Sequence, residues 1–196
     1  MKLSYDFHIH SCLSPCGDND MTPNNIVNMA SLLGLDMIAV SDHNSCKNLP
    51  AVLKVAESCG MLAVPAMEAC TSEEVHMLCF FESLEAAMAF DEAVYPCLPA
   101  IPNRPDIFGD QLILNERDEI VGREPLLLIN ALTIGIAELC SLAASFGGIA
   151  LPAHVNKPAN SIIANLGSIP GEYRFSCIEC NPPDDSIPFW GRRITD

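Results

Sequence analysis

The chain has five histidines, and each is predicted to lie in a β-strand or at the end of one. His8 and His10 end the first predicted strand, His43 follows the second, His76 lies in the fourth and His154 ends the fifth. Alternate residues of a strand point to the same face. His8 and His10 can therefore bind one metal ion together, and the other histidines are placed to join them where strand ends meet.

Carboxylates accompany these histidines at the predicted strand ends. Glu68 ends the third strand, and Asp42 directly precedes His43. Imidazole and carboxylate together suit zinc, manganese or iron, and a glutamate can bridge two ions that activate a water molecule against a phosphate. We therefore assign catalytic roles to Asp42, His43 and Glu68, with Asp42 either capping the next helix or orienting His43.

The intervening segments alternate between predicted strands and helices. Strands are expected at 3–9, 36–41, 61–67, 75–81, 148–153 and 175–180, and helices at 22–33, 49–59, 83–93 and 131–146. This alternation favours a parallel β/α architecture with buried strands, in which reactive groups collect where strands end. A proline-rich segment at about 96–130 breaks the rhythm, and we interpret it as an insertion with an exposed hairpin.

Composition limits the class of protein and its partners. The chain has 196 residues, 49% of them apolar, which suits a single folded domain over 1–196. Its net charge of −15 disfavours a basic surface for long duplex DNA. The sequence shows neither a signal peptide nor an apolar run long enough to cross a bilayer. We therefore expect a cytoplasmic protein without membrane contact, whose ten cysteines are reduced.

Taken in order, the motifs resemble those of the PHP (polymerase and histidinol phosphatase) family, and in particular its stand-alone phosphoesterases. These motifs are His-x-His, Ser-Asp-His, a strand-end Glu, a strand His and a later strand-end His. The resemblance implies a distorted (β/α)7 TIM-like barrel of mostly parallel strands, with two or three divalent ions that hydrolyse phosphate esters. The implied ligands are His8, His10 and Glu68 on one ion, Glu68, His76 and His154 on a second, and His43 on a third.

Two positions depart from that family pattern. The third ion usually takes a further ligand shortly after His-x-His, and here Cys16 and Asp18 are the candidates, since a metal ion deprotonates a coordinating thiol. Family members usually close with Asp-x-His on the last strand, whereas this chain stops at Arg-Arg-Ile-Thr-Asp196. We therefore expect a domain that is cut short before this motif, with Asp196 as the remaining carboxylate candidate.

Further polar residues are candidates for supporting roles. Lys157 lies just after His154 and is the candidate for binding a substrate phosphate. Glu179 faces away from its neighbours in a predicted strand and is a candidate for lining the mouth of the barrel. Cys177 and Cys180 form a Cys-x-x-Cys motif, but positions three apart in a strand face opposite sides, so we interpret them as packing residues.

The predicted function is a metal-dependent phosphoesterase that uses manganese, zinc or iron. Its expected substrate is a small phosphorylated metabolite, a nucleotide or a short oligonucleotide. The alternative from another class is a non-catalytic, truncated metal-binding barrel. An amidohydrolase also begins with His-x-His, but it needs a metal-bridging lysine at the end of a middle strand. None of the lysines fits that position: Lys2, Lys47, Lys54 and Lys157.

Overall fold

The computed structural model describes residues 3–181, 186–187 and 191–194. The strands are β1 (Tyr5–Ile9), β2 (Met37–Val40), β3 (Leu62–Ala63), β4 (Ala66–Cys70), β5 (His76–Phe80), β6 (Leu112–Leu114), β7 (Ile120–Arg123), β8 (Ile149–Pro152), β9 (Cys177–Glu179) and β10 (Arg192–Ile194). The helices are α1 (Pro23–Leu32), α2 (Leu49–Ser58), α3 (Leu84–Val94), α4 (Pro105–Phe108), α5 (Ile136–Ser145) and α6 (Ile162–Leu166). None of these helices is long and apolar enough to cross a lipid bilayer.

The described strands form four small sheets of mixed direction. β1, β2 and β3 are parallel, and so are β9 and β10. In contrast, β4, β5 and β8 pair antiparallel, as do β6 and β7. The described part of the chain forms no closed barrel. The prediction of a distorted (β/α)7 TIM-like barrel of mostly parallel strands is therefore wrong, and the predicted insertion at about 96–130 stays a prediction.

The turn between β4 and β5 explains the change of direction. Only residues 71–75 join the two strands, and the Thr71 amide donates to the Val75 carbonyl at 2.9 Å. A parallel pair needs a crossover of about a dozen residues, so this connection permits an antiparallel pair only. The predicted strand 61–67 also differs, because the chain divides it at Val64-Pro65 into β3 and β4.

The helix starts follow signals in the sequence. Thr22 caps α1 by accepting a hydrogen bond from an amide of the first turn, and Pro23 is the first helical residue. Ser83 caps α3 in the same way. α5 begins at Ile136, later than the predicted start at residue 131. At this helix start, the Glu73 carboxylate accepts the Ile136 amide at 3.1 and 3.2 Å.

The main hydrophobic core joins α1, α2, α3 and α5 to the strands. Phe90 of α3, Leu139 of α5, Ile38 of β2 and Met67 of β4 are fully buried in it. Burying each such side chain contributes about 1.5–3 kcal/mol. The core therefore fixes the strands whose ends carry the candidate site residues.

The β6–β7 hairpin packs against the loop that follows β1 (residues 10–22, the β1–α1 loop). Leu112 and Leu114 are buried beside Cys12, whereas Ile120 and Val121 are exposed. The Leu112 amide donates to the Cys12 carbonyl at 2.9 Å. The predicted hairpin is thus present, but it is exposed on one face only and supports the β1–α1 loop with the other.

Asn48 joins this hairpin to the β1–α1 loop from inside the protein. Its side-chain nitrogen donates to Ser11 Oγ at 2.9 Å and to the Leu112 carbonyl at 3.1 Å. Its side-chain oxygen accepts the Leu114 amide at 2.9 Å. Asn48 is fully buried. If its side chain is removed, water cannot replace its hydrogen bonds to Ser11, Leu112 and Leu114.

We predict that Asn48→Ala lowers the free energy of unfolding by about 2–4 kcal/mol, since each buried polar group left unpaired costs about 1–3 kcal/mol. Urea unfolding followed by circular dichroism measures the change. Asn28→Ala, on the exposed face of α1, is the matched control and should change it by less than about 0.5 kcal/mol. Equal stability of the two variants would contradict this role of Asn48.

Candidate metal centre

Glu68 lies where two of the sheets meet. It belongs to β4, and a parallel bridge pairs it with His43, which follows β2. The Glu68 amide donates to the Asp42 carbonyl at 3.1 Å, and the Asn44 amide donates to the Glu68 carbonyl at 2.9 Å. The Glu68 side chain is only 1% exposed. The backbone thus holds a buried carboxylate at the point where the strand ends come together.

Five imidazole rings surround this carboxylate. Each has a ring nitrogen 3.0–3.3 Å from one of its oxygens. The five histidines predicted as ligands are thus brought together from β1, from β5 and from the segments that follow β1, β2 and β8. The distances are 3.0 Å from Oε1 to His8 Nε2, His76 Nδ1 and His154 Nε2, 3.3 Å from Oε2 to His10 Nε2, and 3.1 Å from Oε2 to His43 Nδ1.

The ring nitrogens outnumber the positions that one carboxylate offers. An ionised carboxylate has about four lone-pair sites, whereas five nitrogens face Glu68. His43 Nδ1 is near Oε2 but lacks hydrogen-bond geometry, and His154 Nδ1 is buried without a hydrogen-bond partner. Imidazoles and a carboxylate with unsatisfied nitrogens are a donor set that fits divalent metal ions.

The candidate ligand atoms of the described residues fall into three groups, within each of which they lie no more than 4.8 Å apart. Glu68 belongs to two groups, so each of its oxygens can bind one ion. His43 also belongs to two, although a given ring nitrogen binds a single ion. The groups are His8–Glu68–His154, His43–Glu68–His76 and His10–Cys16–His43.

The structure brings Cys16, and not Asp18, to the histidines. Cys16 joins His10 and His43, so His10 falls in a different group from the one that the family resemblance implied. Asp18 is exposed, and its carboxylate accepts the Asp20 amide at 2.9 Å. Of the two residues that the sequence left open, Cys16 is therefore the one in a position to bind a metal ion.

Asp42 organises the β1–α1 loop. Its carboxylate accepts the Ser11 amide at 2.7 Å, the Ser11 hydroxyl at 2.6 Å and the Ser14 hydroxyl at 2.7 Å. Ser14 Oγ in turn accepts the His43 amide at 3.1 Å and lies 3.0 Å from His10 Nδ1. Because the Ser14 proton goes to Asp42, His10 Nδ1 must be the donor, which leaves His10 Nε2 to bind a metal ion. Asp42 thus orients His10 through Ser14, and the same hydroxyl links Asp42 to the His43 amide.

Glu179 orients His8 in a similar way. Its two carboxylate oxygens lie 2.8 and 3.0 Å from His8 Nδ1, and one of them accepts the His154 amide at 2.5 Å. That amide belongs to a residue with a φ of 28°, a strained conformation that costs about 1–3 kcal/mol. The spacing of residues in a strand gives the direction of Glu179 but not its partners, so the sequence suggested only a place at a barrel mouth.

Burial and charge act against each other on these groups. Burial disfavours the ionised form of Glu68, but hydrogen bonds from the histidines hold its pKa well below the usual value. Burial lowers the pKa of His43 to about 3, so this ring is neutral and has a lone pair for a metal ion. Burial also opposes the charged form of His8, but Glu179 and Glu68 raise its pKa to about 9. A divalent cation bound between these groups would take the place of that proton.

Lys157 lies at the mouth of the cluster. A hollow of about 260 Å³ is lined by Lys157, by Glu179 and by the rings of His8, His10 and His154. Lys157 brings an ammonium group to this hollow, beside the side chains that are candidates for binding metal ions. The position is compatible with the predicted contact to a substrate phosphate, which stays a prediction.

The remaining predictions concern cysteines and the end of the chain. Cys177 lies in β9 and Cys180 directly after it, and Cys180 is buried. Both are thiols, and none of the ten cysteines of the chain forms a disulfide. Asp196, the carboxylate candidate from the sequence, lies outside the described residues.

Comparison with known proteins shows which folds this chain is similar to. No family model matches it, and a search of curated proteins found no match. The lesion-specific endonuclease Q of Pyrococcus furiosus has a TM-score of 0.68 and 20% identity, with 100% of this chain and 48% of that chain covered. An endonuclease Q complex with a 27-mer duplex that has an abasic lesion at the active site has a TM-score of 0.58 and 20% identity, covering 92% and 43%.

A third similar structure is a proposed metal-dependent phosphoesterase from Bifidobacterium adolescentis, with a TM-score of 0.55, 18% identity, and coverage of 81% of this chain and 69% of that one. At these identities the comparisons establish a shared fold. The resemblance to phosphoesterases that the histidine motifs predicted is thereby confirmed as a similarity of fold. This chain spans less than half of either endonuclease Q chain.

We predict that Glu179→Gln lowers zinc affinity at the His8 group by about 10- to 100-fold without unfolding the chain. An amide offers one acceptor oxygen where His8 Nδ1 and the His154 amide use both carboxylate oxygens. Isothermal titration with zinc measures the affinity, and circular dichroism reports the fold. Glu172→Gln, the same change at an exposed residue, should bind zinc like the wild type. Equal affinity in both variants would show that Glu179 does not orient a ligand.

Proposed function

We propose that the chain is a metal-dependent phosphoesterase. The observation that carries this proposal is the buried Glu68 carboxylate with five histidine nitrogens within 3.0–3.3 Å. The shared fold supports the same class of reaction, since a phosphoesterase and an endonuclease both break phosphate ester bonds.

Glu68 is the shared ligand of this proposed centre. Its oxygens would bind two divalent ions, and a third would lie beside them; manganese, zinc and iron all suit imidazole and carboxylate. Bound ions supply a water molecule of lowered pKa and stabilise negative charge on the phosphoryl oxygens. The proposed ligands are His8, Glu68 and His154 for one ion, Glu68 and His76 for another, and His10, Cys16 and His43 for the third.

The side chains of the protein determine which atoms face the substrate. Glu179 and Ser14 hold the Nδ1 atoms of His8 and His10, so both rings present Nε2 to the centre. Lys157 places a positive charge at the entrance, where it would bind a phosphate oxygen as a point charge. The surrounding buried residues keep bulk water away from the Glu68 carboxylate and so strengthen its electrostatic interactions.

The size of the hollow is compatible with a phosphate group whose ester remainder lies outside. Its 260 Å³ is below the range of about 300–1,000 Å³ for pockets that enclose small molecules. We therefore propose a phosphate ester whose remainder stays outside, such as a small metabolite, a nucleotide or a short oligonucleotide. The exclusion of long duplex DNA, which rested on net charge, gains no support, because a protein of the same fold binds a duplex.

The alternative classes make different demands on the site. A non-catalytic metal-binding protein would share the metal groups but would not hydrolyse phosphate esters. An amidohydrolase would need a lysine to bridge two ions, whereas the residue shared by two of the candidate metal groups here is Glu68. Lys47 pairs with Glu124, and Lys54 pairs with Glu116 at 2.6 Å. Neither of these lysines is therefore a candidate for bridging two metal ions.

We predict that manganese or zinc stimulates hydrolysis of at least one of three substrates by the purified chain: p-nitrophenyl phosphate, bis(p-nitrophenyl) phosphate or a duplex with an abasic site. The substrate that is cleaved distinguishes a monoesterase, a diesterase and a lesion nuclease. Glu68→Ala should reduce the rate to the level without enzyme, because it removes the ligand shared by two metal groups. If the folded, metal-loaded wild-type chain cleaves none of the three, the phosphoesterase proposal is wrong.

Lys157→Ala should raise KM for the substrate that is cleaved by about tenfold or more, with a smaller change in kcat. The reason is that a hydrogen bond to a charged group contributes about 1.5–3 kcal/mol. Steady-state kinetics at saturating metal measures both constants. Lys54→Ala, at an exposed lysine that pairs with Glu116, is the matched control. A KM that is equal in the two variants would exclude Lys157 from substrate binding.

A further inference from the structure

We propose that His10, Cys16 and His43 form a zinc-selective site, whose metal preference differs from that of the two groups built on Glu68. The inference rests on the proposed function, because it assigns one ion of the same centre. Its basis is ligand chemistry. A thiolate with two imidazoles favours Zn²⁺ and other soft ions, whereas imidazole with carboxylate also accepts Mn²⁺.

The three residues lie close enough to share an ion. One ligand atom of each is within 4.8 Å of the other two. Zinc binds nitrogen at about 2.0–2.1 Å and sulfur at about 2.3 Å, so the three side chains need shift only slightly to close on one ion. Three protein ligands also leave a position open for water or substrate, as in catalytic zinc sites.

The His43 ring is shared between this site and a group built on Glu68. Its side chain is 5% exposed, and its Nδ1 has no hydrogen-bond partner. A buried polar atom without a partner costs about 1–3 kcal/mol. Protein interiors pair almost all such atoms. This Nδ1 lies 3.1 Å from Glu68 Oε2, so an ion bound to it would belong to the Glu68 group, and the Cys16 site would use the other ring nitrogen.

The β1–α1 loop presents Cys16 to the histidine rings. The Gly17 amide donates to the Ser14 carbonyl at 2.9 Å, which closes the turn that contains Cys16. A side chain at Gly17 would collide with the Ser11 carbonyl, so only glycine fits there. Ser14 also fixes His10 with Nε2 as its ligand atom. The same loop thus orients both the thiol and one of the imidazoles.

Cys12 provides a comparison within the same loop. Its sulfur lies 3.8 Å from the Leu112 carbonyl and 3.8 Å from the Asn48 side-chain nitrogen. The residue is 1% exposed, and burial raises the pKa of its thiol to about 12. Cys16 is exposed and lies beside two imidazoles. The two cysteines therefore have different roles, with Cys12 packing under the hairpin and Cys16 binding the ion.

Cobalt(II) is the probe for this site, because a cobalt–thiolate bond gives a near-ultraviolet charge-transfer band that cobalt on nitrogen and oxygen ligands lacks. We predict that the wild-type chain loaded with cobalt shows this band, that Cys16→Ser loses it, and that Cys12→Ser keeps it. In equal concentrations of zinc and manganese, Cys16→Ser should lose about one zinc ion per chain. Cys16→Asp should hold manganese in its place.

The outcomes separate this inference from the proposed function. A charge-transfer band that persists in Cys16→Ser, or that disappears in Cys12→Ser, overturns the assignment of Cys16 and leaves the phosphoesterase proposal standing. A wild-type chain that binds cobalt without showing this band would also overturn the assignment of Cys16 and leave the phosphoesterase proposal standing. A wild-type chain that binds no cobalt, zinc or manganese overturns both. Circular dichroism checks the fold of each variant, and Cys16→Asp tests the loss of the band independently of Cys16→Ser.

Discussion

The contact between the Glu68 carboxylate and the imidazoles around it is the interaction on which the rest of the site depends. A buried carboxylate is costly unless charged or hydrogen-bonding partners compensate it. Here histidines from separate parts of the chain supply those partners, and they face Glu68 with more nitrogens than it can pair. One anion therefore organises a set of candidate ligands that divalent cations would complete.

The backbone links the strand ends at this point, although the described sheets are small. The bridge between His43 and Glu68 joins the segment after β2 to β4. The Val155 amide donates to the Glu179 carbonyl at 2.9 Å, which joins the segment after β8 to β9. The Ala153 amide donates to the His76 carbonyl at 3.0 Å. These bonds hold the candidate ligands in fixed relative positions without a closed barrel among the described strands.

The convergence of the histidines could be predicted from the sequence, because strand ends and a period of two are local features. The direction of the strands was misjudged, although the short connection 71–75 already excluded a parallel crossover between β4 and β5.

The partners of Asp42 and Glu179 could not be predicted. Ser14 is 28 residues from Asp42, and His8 is 171 residues from Glu179, so these contacts depend on tertiary register. The choice between Cys16 and Asp18 depends on the turn at Gly17 in the same way.

Anomalous X-ray diffraction from crystals grown with zinc tests the central claim most directly, because it locates each ion without reference to activity. The account predicts anomalous peaks within about 2.0–2.2 Å of both Glu68 carboxylate oxygens, with histidine nitrogens completing each coordination shell. Crystals that contain zinc but show no anomalous peak at Glu68 would contradict the claim that this carboxylate is the centre of a metal site.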